Sequence, residues 1–196
     1  MPIKAIIFDL DGTITRPYLD FDVIRCEMGM PKDSGPILEA LERMSDEDRQ
    51  RAERIIKRHE EEAIAASELN DGAVELLAQL HERGLQLGIL TRNTRENAKA
   101  VLSKHALEFD CVVGRDEAPV KPDAAGVLLL CRHFGVSPQE SLVIGDYLFD
   151  VLSANAAGAT SVLLSLDGRG RQFTEHADFT VKELSELVHI VDRTLT

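Results

Sequence analysis

Apolar runs alternate with amphipathic segments through most of the chain. Residues 3–8 read I-K-A-I-I-F, an apolar run typical of a strand that is buried on both faces. Further strands are predicted at 85–90, 109–113, 141–145 and 160–164, and helices at 70–84, 94–105, 123–134, 148–157 and 182–193. Strands that alternate with helices require right-handed βαβ crossovers. The pattern therefore predicts an α/β fold, a doubly wound Rossmann-like parallel sheet with helices on both faces.

The segment after the first strand has a different character. Residues 19–67 are charged and poor in β-branched runs, and P-K-D-S-G-P at 31–36 divides them into two or three helices. Ser45 is a candidate N-cap for a long charged helix with few apolar positions, which indicates a largely solvated element. We therefore expect an α/β core domain, 1–16 and 69–196, with a small helical domain, 17–68, inserted after the first strand.

Polar side chains follow four of the predicted strands. In an open parallel sheet the ligand lies beyond the carboxyl ends of the strands, so these side chains are expected to meet at one edge. They are Asp9 and Asp11 after the first strand, Thr91, Arg92 and Asn93 after the second, Lys121 in the loop after the third, and Asp146 and Asp150 after the fourth.

Two other interpretations of Asp11-Gly12 compete with this one. The pair is a strong signal for a tight β-hairpin turn, but Pro17 ends the run that would form the second strand. A calcium-binding loop would need glycine at its sixth position and glutamate at its twelfth, where this chain has Ile14 and Asp20. A hairpin would also leave the polar residues at the other strand ends unexplained.

Charge and cysteine content exclude several classes of protein. The formal net charge is −12 and no stretch is strongly basic, which argues against nucleic-acid binding and against attachment to an anionic membrane surface. No apolar stretch approaches the 18 residues that a membrane-spanning helix needs, which argues against a transmembrane segment. The three cysteines, Cys26, Cys111 and Cys131, are widely spaced, which fits a reducing cytoplasm rather than a disulfide framework or a zinc site.

The residue types at the sheet edge suit phosphate chemistry. Asp9 and Asp11 point to the same side of an extended segment, and Asp9 and Asp146 are the best candidates to bind Mg²⁺. An aspartate can attack phosphorus as a nucleophile, and the neighbouring Asp11 can protonate a leaving oxygen and then activate water. Thr91 offers a hydroxyl and a backbone N–H to phosphate oxygens, and Lys121 offers a positive charge. Taken singly, Thr91 is more often a helix N-cap and a loop lysine is more often solvated.

Four motifs in order resemble the haloacid dehalogenase superfamily. They are D-x-D-G-T after an apolar strand, a threonine that ends a second strand, a lysine before a helix, and G-D-x-x-x-D after a later strand. The similarity is closest to the capped, phosphoglycolate phosphatase-like branch, and it covers nearly the whole chain except the insert. It implies a phosphatase with Mg²⁺ as cofactor and a small phosphorylated metabolite as substrate.

The resemblance also implies roles for individual residues. Asp9 would be the nucleophile and Asp11 the general acid and base, while Thr91 and Lys121 would stabilise the phosphate. Asp9, the backbone carbonyl of Asp11 and Asp146 would bind the metal, and Asp150 would lie on the metal side or support a ligand.

The insert stands where one branch of the family carries a cap over the active site. The residues proposed to read the substrate are Arg16, Tyr18 and Arg25 near the insert, with Arg92 and Asn93 at the strand end. Two departures from the branch are visible: the lysine motif reads K-P-D-A where K-P-x-P is frequent, and the insert of about fifty residues is shorter than the usual helical cap.

Several alternatives remain open at this stage. A phosphomutase would use the same acids. A haloacid dehalogenase would need neither Asp11 nor the acid pair at 146 and 150, and a phosphonatase would need a cap lysine, for which only Lys32 and Lys57 stand as candidates. A regulatory phosphometabolite-binding module would have no use for a nucleophile beside an acid and base.

The D-G-R-G-R sequence at 167–171 fits a surface turn better than an anion contact.

Overall fold

A six-stranded parallel sheet forms the centre of the protein in the computed structural model, which describes residues 2–195. The strand order is β3-β2-β1-β4-β5-β6. The strands are β1 (Ala5–Phe8), β2 (Gln86–Leu90), β3 (Cys111–Val113), β4 (Ser141–Gly145), β5 (Thr160–Leu164) and β6 (Phe179–Val181). This arrangement confirms the predicted doubly wound α/β sheet.

Helices connect the strands and pack around the sheet. They are α4 (Ala73–Glu82), α5 (Arg95–Lys104), α6 (Ala125–Phe134), α7 (Leu148–Ala157) and α8 (Leu187–Leu195). Helix α6 packs on β1, β2 and β3, and α7 packs on β4 and β5. Every residue of β1 and of β4 is buried, which is why these strands show apolar runs rather than alternation.

Strand β1 lies in the middle of the sheet and is fully buried. Ile7 is paired in parallel register with Gly88 of β2 on one side and with Val143 of β4 on the other. Because both neighbours of β1 run parallel to it, the hairpin interpretation of Asp11-Gly12 is excluded. The strand ends at Phe8, so that Asp9 and Asp11, which follow it, lie at the carboxyl edge of the sheet.

The chain divides into two compact units, Tyr18–Ser67 and the remainder. The smaller unit contains α1 (Phe21–Glu27), α2 (Ile37–Leu41) and α3 (Asp46–Ala66). Ser45 caps α3 as predicted, since its Oγ accepts a hydrogen bond from the N–H of Asp48 at 3.2 Å. Buried residues from all three helices form a small separate apolar cluster: Ile24, Ile37, Leu41, Ala52 and Ile56.

The C-terminal region differs from the expectation. A sixth strand, β6, was not predicted, and the helix expected at 182–193 begins only at Leu187, after a 3₁₀ turn at Leu184–Glu186. Strand β6 has three residues, two of them exposed, so its sequence carries no clear apolar run. Among residues 2–195, no helix combines the length and the apolar character needed to cross a membrane.

Candidate active site

Asp9 lies one residue beyond the end of β1 and is buried. Its backbone N–H donates to the carbonyl of Ile144 at 2.9 Å, which continues the sheet past the last strand residue. The Nζ atom of Lys121 lies 2.5 Å from Oδ1 of Asp9 and 2.5 Å from Oδ1 of Asp150. Lys121 is itself only 3% exposed, so one buried ammonium group joins two buried carboxylates.

Asp146 completes a cluster of three acids. One carboxylate oxygen from each of Asp9, Asp146 and Asp150 lies within 4.8 Å of the other two. Carboxylate oxygens are the ligands that Mg²⁺ takes in proteins, usually one or two of them with water in the other positions. The donor set therefore fits a hard divalent cation, as the sequence suggested.

Burial and mutual repulsion act on these acids together. Burial raises the pKa of Asp9 well above its usual value; the positive charge of Lys121 opposes this shift, and the charges of Asp150, Asp146 and Asp11 add to it. Burial also raises the pKa of Asp146 to about 7, with a further contribution from the charge of Asp150.

Burial acts on the pKa of Lys121 in the opposite direction. Burial by itself would lower its pKa, but the charges of Asp150 and Asp9 outweigh this effect, so the pKa of Lys121 is raised. The lysine therefore stays positive over the whole physiological range. A second positive charge near Asp146 would relieve the repulsion that remains, which is what a bound cation supplies.

The D-x-D-G-T loop turns sharply after β1. Gly12 has φ +95°, and the N–H of Gly12 donates to the carbonyl of Thr15 at 2.9 Å. A Cβ atom at Gly12 would lie 2.3 Å from Oδ2 of Asp146, so the loop backbone approaches that carboxylate closely. Asp11, two residues after Asp9 in the sequence, is half-buried, and the turn places it at the carboxyl edge of the sheet.

Asn70 holds the loop from the other connecting segment. Its Nδ2 lies within hydrogen-bond distance of the carbonyl oxygens of Gly12 at 3.2 Å, Thr13 at 2.8 Å and Thr15 at 3.1 Å. The helix predicted at 70–84 begins only at Ala73, with Gly72 as its N-cap residue and no side-chain cap, so Asn70 lies outside it. The buried amide instead fixes the loop that carries Asp11.

Asp150 is positioned by its own motif. Its Oδ2 accepts a hydrogen bond from the N–H of Tyr147 at 3.0 Å while Oδ1 faces Lys121. A Cβ atom at Gly145 would lie 2.1 Å from Cγ of Asp150, so only glycine allows the first turn of α7 to fold back against β4. The glycine of G-D-x-x-x-D was visible in the sequence, but its contact with Asp150 was not.

Thr91 is buried at the end of β2, beside the acid cluster in the sheet order. Its Oγ1 accepts a hydrogen bond from the N–H of Asn93 at 3.0 Å. Its backbone N–H donates to the carbonyl of Val113 at 3.1 Å, so the expected donation from this N–H to a phosphate is wrong and only the hydroxyl can serve. The N-cap of α5 is Thr94, not Thr91.

Arg92 and Asn93 have contacts within the protein. Arg92 donates to the backbone carbonyl of Lys121, and its guanidinium group lies 4.8 Å from the ring centroid of Phe149. The side chain of Asn93 accepts from the N–H of Thr94 at 2.8 Å. Both residues therefore shape the turn after β2 and the lysine loop.

The three residues predicted near the insert have different surroundings. Arg16 forms a salt bridge with Asp71 at 2.9 Å, between the two segments that connect to the smaller unit. Arg25 lies inside that unit and pairs with Asp22 at 3.2 Å. Tyr18 is 52% exposed at the start of the unit.

Comparison with known proteins agrees with this geometry. Residues 27–164, more than half of the chain, match the haloacid dehalogenase-like hydrolase family. An uncharacterised hydrolase from Saccharomyces cerevisiae is 28% identical, and the alignment covers 96% of this chain and 91% of that protein. A phosphoglycolate phosphatase from Thiobacillus denitrificans is 29% identical over 98% of this chain and 97% of its own length.

A solved structure shows the same fold over almost the full length. It is that of a hydrolase from Pseudomonas syringae, which superimposes with a TM-score of 0.81 at 25% identity and covers 97% of this chain and 98% of that one. The sheet order, the acid cluster at its carboxyl edge and these similarities lead to one conclusion. The chain belongs to the haloacid dehalogenase-like hydrolase family.

Proposed function

We propose that this protein is a Mg²⁺-dependent phosphatase that hydrolyses a small phosphorylated metabolite through an aspartyl-phosphate on Asp9. Phosphatases among its relatives, such as that of Thiobacillus denitrificans, indicate an enzyme that acts on phosphate esters. The observation that carries the proposal is the buried Lys121 ammonium, 2.5 Å from Asp9 at the end of the central strand.

The metal would be held by Asp9, the backbone carbonyl of Asp11 and Asp146. When bound, Mg²⁺ offsets the negative charge of the phosphate and of the acids around it. Asp150 positions these residues indirectly. One of its carboxylate oxygens accepts a hydrogen bond from Lys121, and the other accepts one from the N–H of Tyr147.

In the first half of the reaction, a carboxylate oxygen of Asp9 attacks phosphorus and the bond from phosphorus to the ester oxygen breaks. Asp11 gives its proton to the departing oxygen, which leaves as an alcohol. Lys121 and the hydroxyl of Thr91 bind the non-bridging phosphate oxygens and stabilise the charge of the transition state.

In the second half, Asp11 has become the base. It takes a proton from a water molecule, the water oxygen attacks phosphorus, and the bond to Asp9 breaks to release inorganic phosphate. Both aspartates return to their starting protonation states, so the cycle balances with water as the only co-reactant.

The test is hydrolysis of p-nitrophenyl phosphate with and without Mg²⁺. We expect activity that EDTA abolishes, that Mg²⁺ restores, and that Ca²⁺ supports poorly because calcium prefers more ligands and looser geometry. Full activity in metal-free buffer would overturn the proposal and favour the dehalogenase chemistry considered above. Binding of phosphorylated metabolites without turnover would instead favour a regulatory module.

We further propose that the unit Tyr18–Ser67 is a cap that contributes to substrate choice. The unit is inserted between two segments of the chain, and the salt bridge between Arg16 and Asp71 joins those segments. Two adjacent connections of this kind can act as the hinge of a lid. Tyr18→Ala is expected to change the ranking of a panel of phosphorylated metabolites while the Mg²⁺ requirement stays constant. An unchanged ranking would contradict a role of Tyr18 in substrate choice.

A further inference from the structure

The loop after β5 reaches the same edge of the sheet as the catalytic residues. Residues 166–176, here called the β5 loop, contain short 3₁₀ turns at Leu166–Gly168 and Arg171–His176. Because β5 runs parallel to β4, the loop begins at the carboxyl edge, where ligands of such sheets bind. D-G-R-G-R, interpreted as a surface turn from the sequence, forms its first half.

Three contacts fix the β5 loop beside Asp146. A Cβ atom at Gly170 would lie 3.0 Å from the backbone oxygen of Asp146, so the loop backbone packs against the metal-binding motif. The rings of Phe173 and Tyr147 meet edge to face with centroids 5.1 Å apart. On the other side, Oγ of Ser165 donates to the carbonyl of Arg169 at 2.7 Å. The backbone on both sides of the Arg169 side chain is therefore anchored.

The side chain of Arg169 is exposed, and no salt bridge joins it to another of the residues that the structure describes. The next residue, Gly170, packs against the backbone oxygen of Asp146, which places Arg169 beside the acid cluster. The three arginines that the sequence predicted to read the substrate have partners within the protein. Arg92 donates to the carbonyl of Lys121, Arg16 pairs with Asp71, and Arg25 pairs with Asp22.

We propose that Arg169 binds a second anionic group on the substrate, so that the preferred substrates are phosphate monoesters whose leaving portion carries a carboxylate or another phosphate. The inference deepens the proposed function and rests on it. A guanidinium group offers paired N–H donors that match the two oxygens of such a group. A chain with net charge −12 needs a local positive charge to admit a doubly anionic ligand next to three carboxylates.

The experiment compares two esters that differ in one group. 2-Phosphoglycolate carries a carboxylate where 2-hydroxyethyl phosphate carries a neutral hydroxymethyl group. We expect Arg169→Gln to lower kcat/KM for 2-phosphoglycolate roughly tenfold or more, as expected when a charge-assisted hydrogen bond is lost, and to leave the neutral ester within about twofold. Arg169→Lys should recover part of the loss, since it keeps the charge without the paired donors.

Arg171→Gln is the matched control, because it removes the same charge from another exposed position in the same loop. It should leave the ratio of the two kcat/KM values within about twofold of the wild type, since no paired contact is lost. The proposal is overturned if Arg169→Gln lowers both esters equally, if Arg171→Gln has the same effect, or if the wild type does not prefer the anionic ester. If the wild type hydrolyses p-nitrophenyl phosphate but neither ester, this inference alone is overturned. If it hydrolyses none of the three, the phosphatase proposal is refuted and this inference with it.

Discussion

Position 12 has no room for a side chain because Asp146 occupies the space. A Cβ atom there would lie 2.3 Å from Oδ2 of Asp146 and 2.7 Å from its Cγ, well inside van der Waals contact. The glycine of D-x-D-G-T is therefore coupled to the acid of G-D-x-x-x-D, although the two lie 134 positions apart in the sequence. The D-x-D-G-T motif thus supplies two acids and also, through Gly12, determines the position of the Asp146 carboxylate.

Gly12→Ala should weaken metal binding more than it weakens the fold. The new methyl group forces the Asp146 carboxylate to move, and loss of a well-placed ligand or its support typically costs about 10–100-fold in metal affinity. The measurement is the Mg²⁺ concentration that gives half-maximal activity. Gly84→Ala is the control, because Gly84 also has positive φ, +70°, but no atom within 4 Å of the added Cβ. An equal rise in both variants would contradict the coupling.

Metal-free stability should depend on the ionisation of Asp146. Its pKa is raised from 3.8 to about 7 in the folded chain, so between these values the folded protein keeps a proton that the unfolded chain has released. The stability contributed by this group is thus highest below pH 3.8 and falls as the pH rises to about 7. The slope has an upper limit of about 1.4 kcal/mol per pH unit.

Urea unfolding of the wild type and Asp146→Asn in EDTA measures this dependence. The asparagine variant removes the titrating group, so the advantage of the variant over the wild type should grow across the window from pH 4 to 7. Saturating Mg²⁺ should reverse it, because the cation stabilises the ionised acid in the wild type. A difference between the two proteins that does not change with pH in EDTA would rule out this account.

Asn70→Asp should destabilise the loop that carries Asp11. The substitution exchanges the donating amide for a carboxylate oxygen that faces the carbonyls of Gly12, Thr13 and Thr15, which leaves buried acceptors without a donor. Such a loss costs about 1–3 kcal/mol. We expect a lower free energy of unfolding, together with a lower kcat at nearly constant KM, because the position of Asp11 matters most in the transition state.

Asn155→Asp serves as the control for Asn70. Asn155 donates one hydrogen bond, to the carbonyl of His176 at 2.8 Å, at an exposed place away from the D-x-D-G-T loop. Its substitution should change stability by less than that of Asn70 and should leave kcat unaffected. If the two variants behave alike, Asn70 does not hold the catalytic loop.

The sheet and the acids at its edge could be predicted because they depend on local sequence. Apolar runs revealed five of the six strands, and each acid or lysine of the cluster directly follows a strand or begins a helix. Strand β6 could not be predicted in the same way, because its three residues acquire their pairing only from β5. Its prediction would have required knowledge of where the chain returns to the sheet.

Contacts between distant segments were the part that the sequence did not reveal. Asn70 is the first residue of the helix predicted at 70–84, and only the fold brings its amide to the carbonyls of the D-x-D-G-T loop. Arg92 resembled a substrate ligand, whereas in the structure it contacts Phe149 and the backbone of Lys121. In both cases the side chain has several possible partners, and the geometry of the folded chain selects among them.

The central claim is that Asp9 carries the phosphoryl group during turnover. The most direct measurement is acid quenching of the enzyme during hydrolysis of a ³²P-labelled phosphate ester in Mg²⁺, followed by peptide mapping. We predict label on Asp9 that hydroxylamine removes, and none in Asp9→Asn, whose kcat falls by several orders of magnitude. An Asp9→Asn enzyme that keeps a tenth of the wild-type kcat, or label on a different residue, would contradict the account.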